Sequence, residues 1–237
     1  MSKIDEPIGV PEIDRGNEKA RPELADFVVA ASEYVLSSSG WTDSLKKKAQ
    51  LRLSYILAKV VVADLHDELG YETGAAAGET TVGGGLRSVN ADVSEFTEID
   101  GLRLAVEIKP INLAVGRAIW NRFGDIRTFA VNLHLKFPFA VVAGILTVPV
   151  FEIGKTKDGE TRKATTHLIQ RAEKRLVRSG NREHEGEAAH LLEAVGLVVF
   201  DPDTKLVDPD IPEAGNGLRW EEFIGQLAAA YEGRFGE

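Results

Sequence analysis

Apolar positions recur at three- and four-residue steps over two stretches in the first third of the chain. Leu24, Phe27, Val28, Ala31 and Val35 form one stripe over residues 22–36, and this spacing predicts an amphipathic helix. After "SSSGWTDS", a second predicted helix starts with Thr42 or Asp43 as its cap and runs to about residue 69, with Gly70 as its stop. Its stripe is Leu53, Leu57, Val60 and Val61, continued at the C-terminal end by Asp64 and Glu68. "GAAAGETTVGGG", residues 74–85, has neither period; it reads as a mobile connection and lacks the lysine and spacing of a phosphate-cradling loop. Two alternating runs follow, joined by Asp100-Gly101, a hairpin signal. Then come a helix over residues 115–135 with Gly124 as a weak point, a buried strand within "FPFAVVAGILTVPV", and a polar linker, "GKTKDGETRK". A basic helix over 165–179 precedes a helix in "HEGEAAHLLEAVG" that Gly196 stops. A short strand, "LVVF", leads into an acidic loop, and a final helix lies in "LRWEEFIGQLAAAYEGRF". This order predicts an α/β (α+β) fold class, a mixed central β-sheet flanked by helices. Residues 1–22 carry no packing period and read as a flexible N-terminal arm, leaving 23–237 as a single domain.

The hairpin sets the positions of its charges. With Asp100 and Gly101 as the two loop residues, Ile99 faces Leu102, Asp92 faces Lys109 and Ser94 faces Glu107. One face then carries Val93 and Ile99 with Leu102, Leu104, Val106 and Ile108, and points into a core. The other carries Asp92, Ser94, Phe96 and Glu98 with Arg103, Ala105, Glu107 and Lys109, and Glu98 pairs with Arg103 across the strands. Asp92, Glu107 and Lys109 therefore share one face, at the end of the hairpin away from its turn.

Composition narrows the chemistry. The 237 residues are 43% hydrophobic, enough for one substantial core, and contain no cysteine, which removes disulfides and thiolate metal sites. The start of the chain is polar and broken by prolines, with no apolar signal segment, and the longest apolar run is too short to span a bilayer as a helix. The expectation is a cytoplasmic protein with no membrane partner. A net charge of −9 argues against a protein that coats nucleic acid non-specifically, but not against a nucleic-acid enzyme whose carboxylates carry metal ions.

Two carboxylates a few ångströms apart are costly to keep ionised without a cation between them. Oxygen ligands suit a hard cation such as Mg²⁺, which would polarise a phosphoryl oxygen and acidify a bound water, and a lysine ammonium would stabilise the crowded negative charge. These are the requirements of phosphodiester hydrolysis. The alternative is a solvated ion pair at a hairpin end, which contributes little.

"Asp92 … Glu107-Ile108-Lys109" resembles the signature of the PD-(D/E)xK nuclease superfamily, which contains most type II restriction endonucleases: an aspartate opening one strand, E-x-K on the adjacent antiparallel strand, then a helix and another core strand. The match covers a catalytic core of about 45–150, with C-terminal elements over 165–237; the proline that precedes the family's aspartate is Ala91 here. The resemblance implies a restriction-endonuclease-like core. It implies Asp92, Glu107 and the carbonyl of Ile108 as metal ligands, Lys109 as the catalytic lysine, and Mg²⁺ as cofactor with Mn²⁺ able to substitute. It also implies an acid from the preceding helix, for which Glu68 is the candidate, with Glu72 and Asp64 behind it. The expected activity is type II restriction cleavage of double-stranded DNA by a homodimer within a restriction-modification system. The alternatives are a repair or structure-specific nuclease and a catalytically inactive DNA-binding or assembly protein.

Arg87, Lys163, Arg171, Lys174, Arg175 and Arg178 are the candidate DNA-contacting residues, the last four spaced to share a helix face. The same spacing describes a solvated surface stripe. Loops over 152–166 and 201–217 are candidates for reading bases. The histidines show no metal or triad spacing, and Trp120 and Phe123 read as core.

Overall fold

The computed structural model describes residues 11–156 and 159–236. Three helices lead, α1 (Pro11–Glu18), α2 (Leu24–Ser37) and α3 (Asp43–Leu69), followed by an antiparallel meander of β1 (Ala76–Gly83), β2 (Ser88–Thr97) and β3 (Gly101–Pro110). Helix α4 (Val115–His134) crosses to β4 (Val141–Pro149), which lies parallel to β3. A hairpin of β5 (Phe151–Thr156) and β6 (Gly159–Ala164), helix α5 (Thr166–Leu176), strands β7 (Ala194–Asp201) and β8 (Leu206–Val207), and helix α6 (Trp220–Phe235) complete the chain. The main sheet runs β1-β2-β3-β4-β7-β8, with β3, β4 and β7 parallel and the outer pairs antiparallel. The expected mixed sheet flanked by helices is the architecture observed.

Two apolar layers sandwich this sheet. On one face Val93, Leu104, Val106, Ile108 and Ile145 pack under α2, α3 and α6. On the other, Ala105, Val142, Leu146, Val148 and Leu197 pack under α4 and α5. Strand β4 is buried along its whole length, as a central parallel strand covered on both faces must be, and so carries a run that is apolar except for Thr147. Helix α3 begins where its cap predicts, with Thr42 Oγ1 accepting the Leu45 N–H at 3.3 Å, and stops at Gly70, which takes φ 74°.

Four expected elements differ. Residues 1–10 of the expected arm lie outside the described residues, but 11–18 form α1, whose Ile13 is buried against α2 and α3. One apolar residue gave no period to detect, and Gly16 lets the helix approach closely, since a Cβ there would sit 2.9 Å from Ile56. The glycine-rich stretch is not a loose connection but strand β1. It is an edge strand whose small and polar residues face solvent, so it carries no alternating apolar signal. The polar linker is the β5–β6 hairpin. "HEGEAAHLLEAVG" is not a helix: residues 181–193 run as irregular loop, and Gly196 sits inside β7, where a Cβ would meet the Phe223 ring at 3.1 Å.

The 181–193 loop is tied down by a buried charge network. Glu193 accepts from Arg182 Nη1 at 2.6 Å, Arg234 Nη2 at 2.7 Å and the Val142 N–H at 2.8 Å, and its other neighbour is His134 Nε2 at 3.2 Å. Burial alone would raise the Glu193 carboxyl; bonds from His134, Arg234 and the Val142 N–H hold it below its ordinary value instead. Breaking such a pair leaves an uncompensated buried charge.

Candidate active site: an acidic cleft where strands β2 and β3 part

The β2–β3 register departs from the two-residue turn. Val93 faces Val106, Ser94 faces Ala105 and Glu95 faces Leu104, and then Arg103 bulges so that Phe96 faces Leu102 and Thr97 faces Gly101. The loop is three residues, 98–100, and the pairing beyond the bulge is shifted by two positions. A shift of two preserves the faces. Asp92 and Glu107 are the next opposed positions beyond Val93 and Val106, and Lys109 lies two residues further along the same face. The bulge does overturn the turn-proximal expectations. Ile99 projects into solvent at 93% exposure, Leu102 joins the α4 layer, and Arg103 pairs with Asp100 at 2.5 Å rather than with Glu98.

Pairing ends at Val93 because β2 turns over at Asp92. Val93 packs in the α3 layer, whereas Ala91 packs under α4. Opposite Asp92, β1 has its own bulge: Ala77 faces Val93 and Thr80 faces Ala91, so Gly78 and Glu79 together oppose one residue. Gly78 takes φ 137°, a conformation that side-chain-bearing residues rarely adopt. Asp92 Oδ2 accepts the Ile108 N–H at 2.7 Å, taking the place of the strand partner that β2 no longer supplies. N–H and C=O of an extended residue point to the same strand edge, so the Ile108 carbonyl faces this gap too.

The gap opens into a cleft of about 380 Å³ lined by Glu79, Arg87, Asn90, Asp92, Glu107, Lys109, Asp125 and Phe129, among others. Its floor is β2 and β3, one wall is the β1–β2 hairpin, and the other is the middle of α4. Glu107 is only 7% exposed and pairs with Lys109. Burial raises the Glu107 carboxyl to about 7, against the lowering pull of Lys109, and Asp92 and Asp125 push it further up. Burial likewise raises Asp92, opposed by the Ile108 N–H and Lys109. The lysine contact does not overcome desolvation for either acid. A solvated ion pair at a hairpin end would not behave this way.

The structure brings Asp92, Glu107, Ile108, Lys109 and Arg87 together but leaves out Glu68. That residue is exposed on α3, which packs on the opposite face of the sheet. Its alternates also lie elsewhere: Asp64 accepts from Trp220 Nε1 at 2.7 Å, and Glu72 lines a different cleft. Helical periodicity could show that Glu68 continues the α3 stripe, but not which face of the sheet α3 covers. Glu79 and Asp125 are the additional acids of the cleft. Glu79 lay hidden in a stretch read as loop, and Asp125 on a helix whose flank toward the cleft could not be told from sequence.

Lys163 is exposed on β6, and Arg171, Lys174, Arg175 and Arg178 are exposed on or just after α5. None of these five lines the cleft. Arg171 and Arg175 instead lie over the Trp120 ring, at 5.3 and 4.3 Å from its centroid. Trp120 and Asp125 project from opposite flanks of α4, so α4 stands between the α5 cations and the acids.

The donor set is all oxygen, without histidine, which suits a hard cation. Among the described residues no group of three or more Asp, Glu or His side chains is placed to hold a metal ion. No helix of the described residues is long and apolar enough to cross a membrane. No family model matches the chain, no curated protein matches it, and no solved structure matches it.

Proposed function

We propose that this chain is a Mg²⁺-dependent DNA endonuclease of the restriction type, acting as a cytoplasmic homodimer on double-stranded DNA. The observation that carries the reading is the convergence of Asp92, Glu107 and Lys109 in one polar cleft, where the buried Glu107 and the half-buried Asp92 both have carboxyls raised above their ordinary values. The chain order supports it as well. Helix α3, the β1–β2–β3 meander, helix α4 and parallel strand β4 follow the order that the PD-(D/E)xK resemblance implies.

Asp92 and Glu107, with the Ile108 carbonyl, would hold the ion. Mg²⁺ bound there would polarise the scissile phosphoryl group and acidify a water. Burial raises both carboxyls above their ordinary values, so binding of a cation there would be favoured as pH rises. Lys109, whose side chain is one-fifth exposed in the cleft, would donate to a phosphoryl oxygen or orient the attacking water. The water oxygen bonds to phosphorus, the bond to the 3′ oxygen breaks, that oxygen takes a proton, and a 5′-phosphate is left. Twofold symmetry of a palindromic site asks for two such clefts, hence the dimer.

A second reading, a DNA-binding protein without hydrolysis, has one observation in its favour: the Lys109 ammonium is spent on Glu107. Supercoiled plasmid incubated with Mg²⁺, and in parallel with EDTA, separates the two. The endonuclease reading predicts linear or nicked products in Mg²⁺ alone. Retarded but intact plasmid in both tubes supports the second reading and sinks the first.

A further inference from the structure

The cations of the cleft are unequal. Lys109 is paired with Glu107, and the acids have partners of their own: Asp92 takes the Ile108 N–H, Asn90 Nδ2 donates to Glu79 at 2.5 Å, and Arg122 Nη1 to Asp125 at 3.0 Å. Among the described residues the Arg87 guanidinium has no acidic partner, though it is exposed at the lip of a cleft lined by four carboxylates.

Its backbone, by contrast, is held rigidly. Asn132, in the last turns of α4, is 1% exposed and uses three polar atoms. Its Oδ1 accepts the Arg87 N–H at 3.0 Å, its backbone carbonyl accepts the Gly85 N–H at 2.7 Å, and its Nδ2 donates to the Thr128 carbonyl at 2.8 Å. The turn closes on itself through the Gly84 N–H, which donates to the Arg87 carbonyl at 3.1 Å. Two consecutive glycines are required for this fit. A Cβ on Gly84 would lie 2.9 Å from Asn132 Cβ, and one on Gly85 would lie 2.5 Å from Leu135 Cβ. Asparagine is a poor helix former and an odd choice in a buried helical position, unless its amide is spent on something outside the helix.

Resting on the endonuclease reading, we infer that Arg87 is the substrate phosphate clamp of this cleft and that Asn132 is its positioning residue, locking the 84–87 turn onto α4 so that the guanidinium is held over the lip. The planar fork of arginine suits bidentate contact with a phosphodiester, and an unpaired guanidinium needs no prior partner broken before substrate binds. The clamped phosphate lies beside the one undergoing cleavage, so the contact acts on substrate affinity rather than on the chemical step.

The test is steady-state cleavage of plasmid DNA in Mg²⁺ by Arg87→Ala, Asn132→Ala, Asn132→Asp, Gly85→Ala and the Arg87→Ala/Asn132→Ala double variant, each checked for its melting temperature. Arg87→Ala, Asn132→Ala and Gly85→Ala are expected to raise KM about tenfold with kcat held, the scale of one charge-assisted phosphate contact. Asn132→Asp, which keeps an acceptor for the Arg87 N–H, recovers part of the loss. The double variant is no worse than Arg87→Ala alone, because Asn132 acts through Arg87. If Asn132→Ala does not fold, Gly85→Ala, whose added methyl presses the same turn away from Leu135, takes its place in the cycle. Penalties that multiply in the double variant, or a folded Asn132→Ala with the wild-type KM, overturn the inference while leaving the endonuclease reading standing. A wild-type protein that cuts no DNA overturns both.

Discussion

Replacing Glu107 by glutamine probes the buried acid without changing its shape. In the folded chain its carboxyl is raised to about 7 from an ordinary 4.5, chiefly by burial. The unfolded chain releases this proton near the ordinary value, while the folded chain keeps it to about pH 7. Between those limits the folded state binds more protons, so the contribution of Glu107 to stability is fully present below about pH 4.5 and is lost as pH rises through 7. At 1.36 kcal/mol per pKa unit, a shift of this size is worth roughly 3 kcal/mol. With Glu107 only 7% exposed, solvent screening removes little of it. Urea denaturation in EDTA, at several pH values from about 4.5 to 8.5, reads the effect. Wild type and Glu107→Gln should have similar stability at the acid end. Toward pH 8 the variant should become more stable than wild type by roughly 3 kcal/mol. Saturating Mg²⁺ should shrink the gap at high pH by compensating the wild-type carboxylates. A difference that stays constant across the range would show that Glu107 titrates as a solvated group, and the argument from desolvation would fail.

Three further outcomes follow from the packing. Glu193→Ala strands Arg182 and Arg234 without their carboxylate and should cost about 3–5 kcal/mol in urea denaturation; a loss below about 1 kcal/mol would contradict the network. Gly144 lies opposite Glu107 on β4, and a Cβ there would come 2.4 Å from Ile126 Cγ2, so Gly144→Ala should push α4 from the sheet, cost about 1–3 kcal/mol and widen the cleft; an unchanged melting temperature counts against the close approach. Arg175→Ala should alter Trp120 fluorescence, since the guanidinium sits 4.3 Å from the ring, yet leave kcat for DNA cleavage at the wild-type level because α4 separates it from the acids; a collapse of kcat would place α5 in the site after all.

Much of the framework was legible in the sequence because strong periodicity marks buried elements. Helix α3 with its Thr42 cap and Gly70 stop, the largely apolar run of β4, and the α6 pattern follow directly from what each must bury. That Asp92, Glu107 and Lys109 share a face was legible for a subtler reason. Asp100-Gly101 predicts a two-residue turn where the loop has three residues, and nothing in the sequence marks the Arg103 bulge, but the resulting offset of two keeps Asp92, Glu107 and Lys109 on one face. The two-residue turn also puts Ile99 in the core, where it does not belong. Features that depend on contacts distant in sequence could not be read. Strand β1 has no apolar face of its own, and its bulge, which brings in Glu79, exists only against Asp92. The 181–193 segment has helical composition, but Arg182 and Glu193 gain more from His134, Val142 and Arg234 than a local helix would offer. Glu68 had the right period on the wrong side of the sheet.

Asp92, Glu107 and Lys109 are proposed to act as one hydrolytic centre. The most direct measurement is Mg²⁺-dependent cleavage of plasmid DNA by four proteins side by side: wild type, Asp92→Asn, Lys109→Met and Glu68→Gln. Wild type and Glu68→Gln should cut at the same rate, while Asp92→Asn and Lys109→Met should each fall by at least about 10²-fold while remaining folded at the assay temperature. Cleavage by Asp92→Asn and Lys109→Met at the wild-type rate would place the chemistry elsewhere in the molecule.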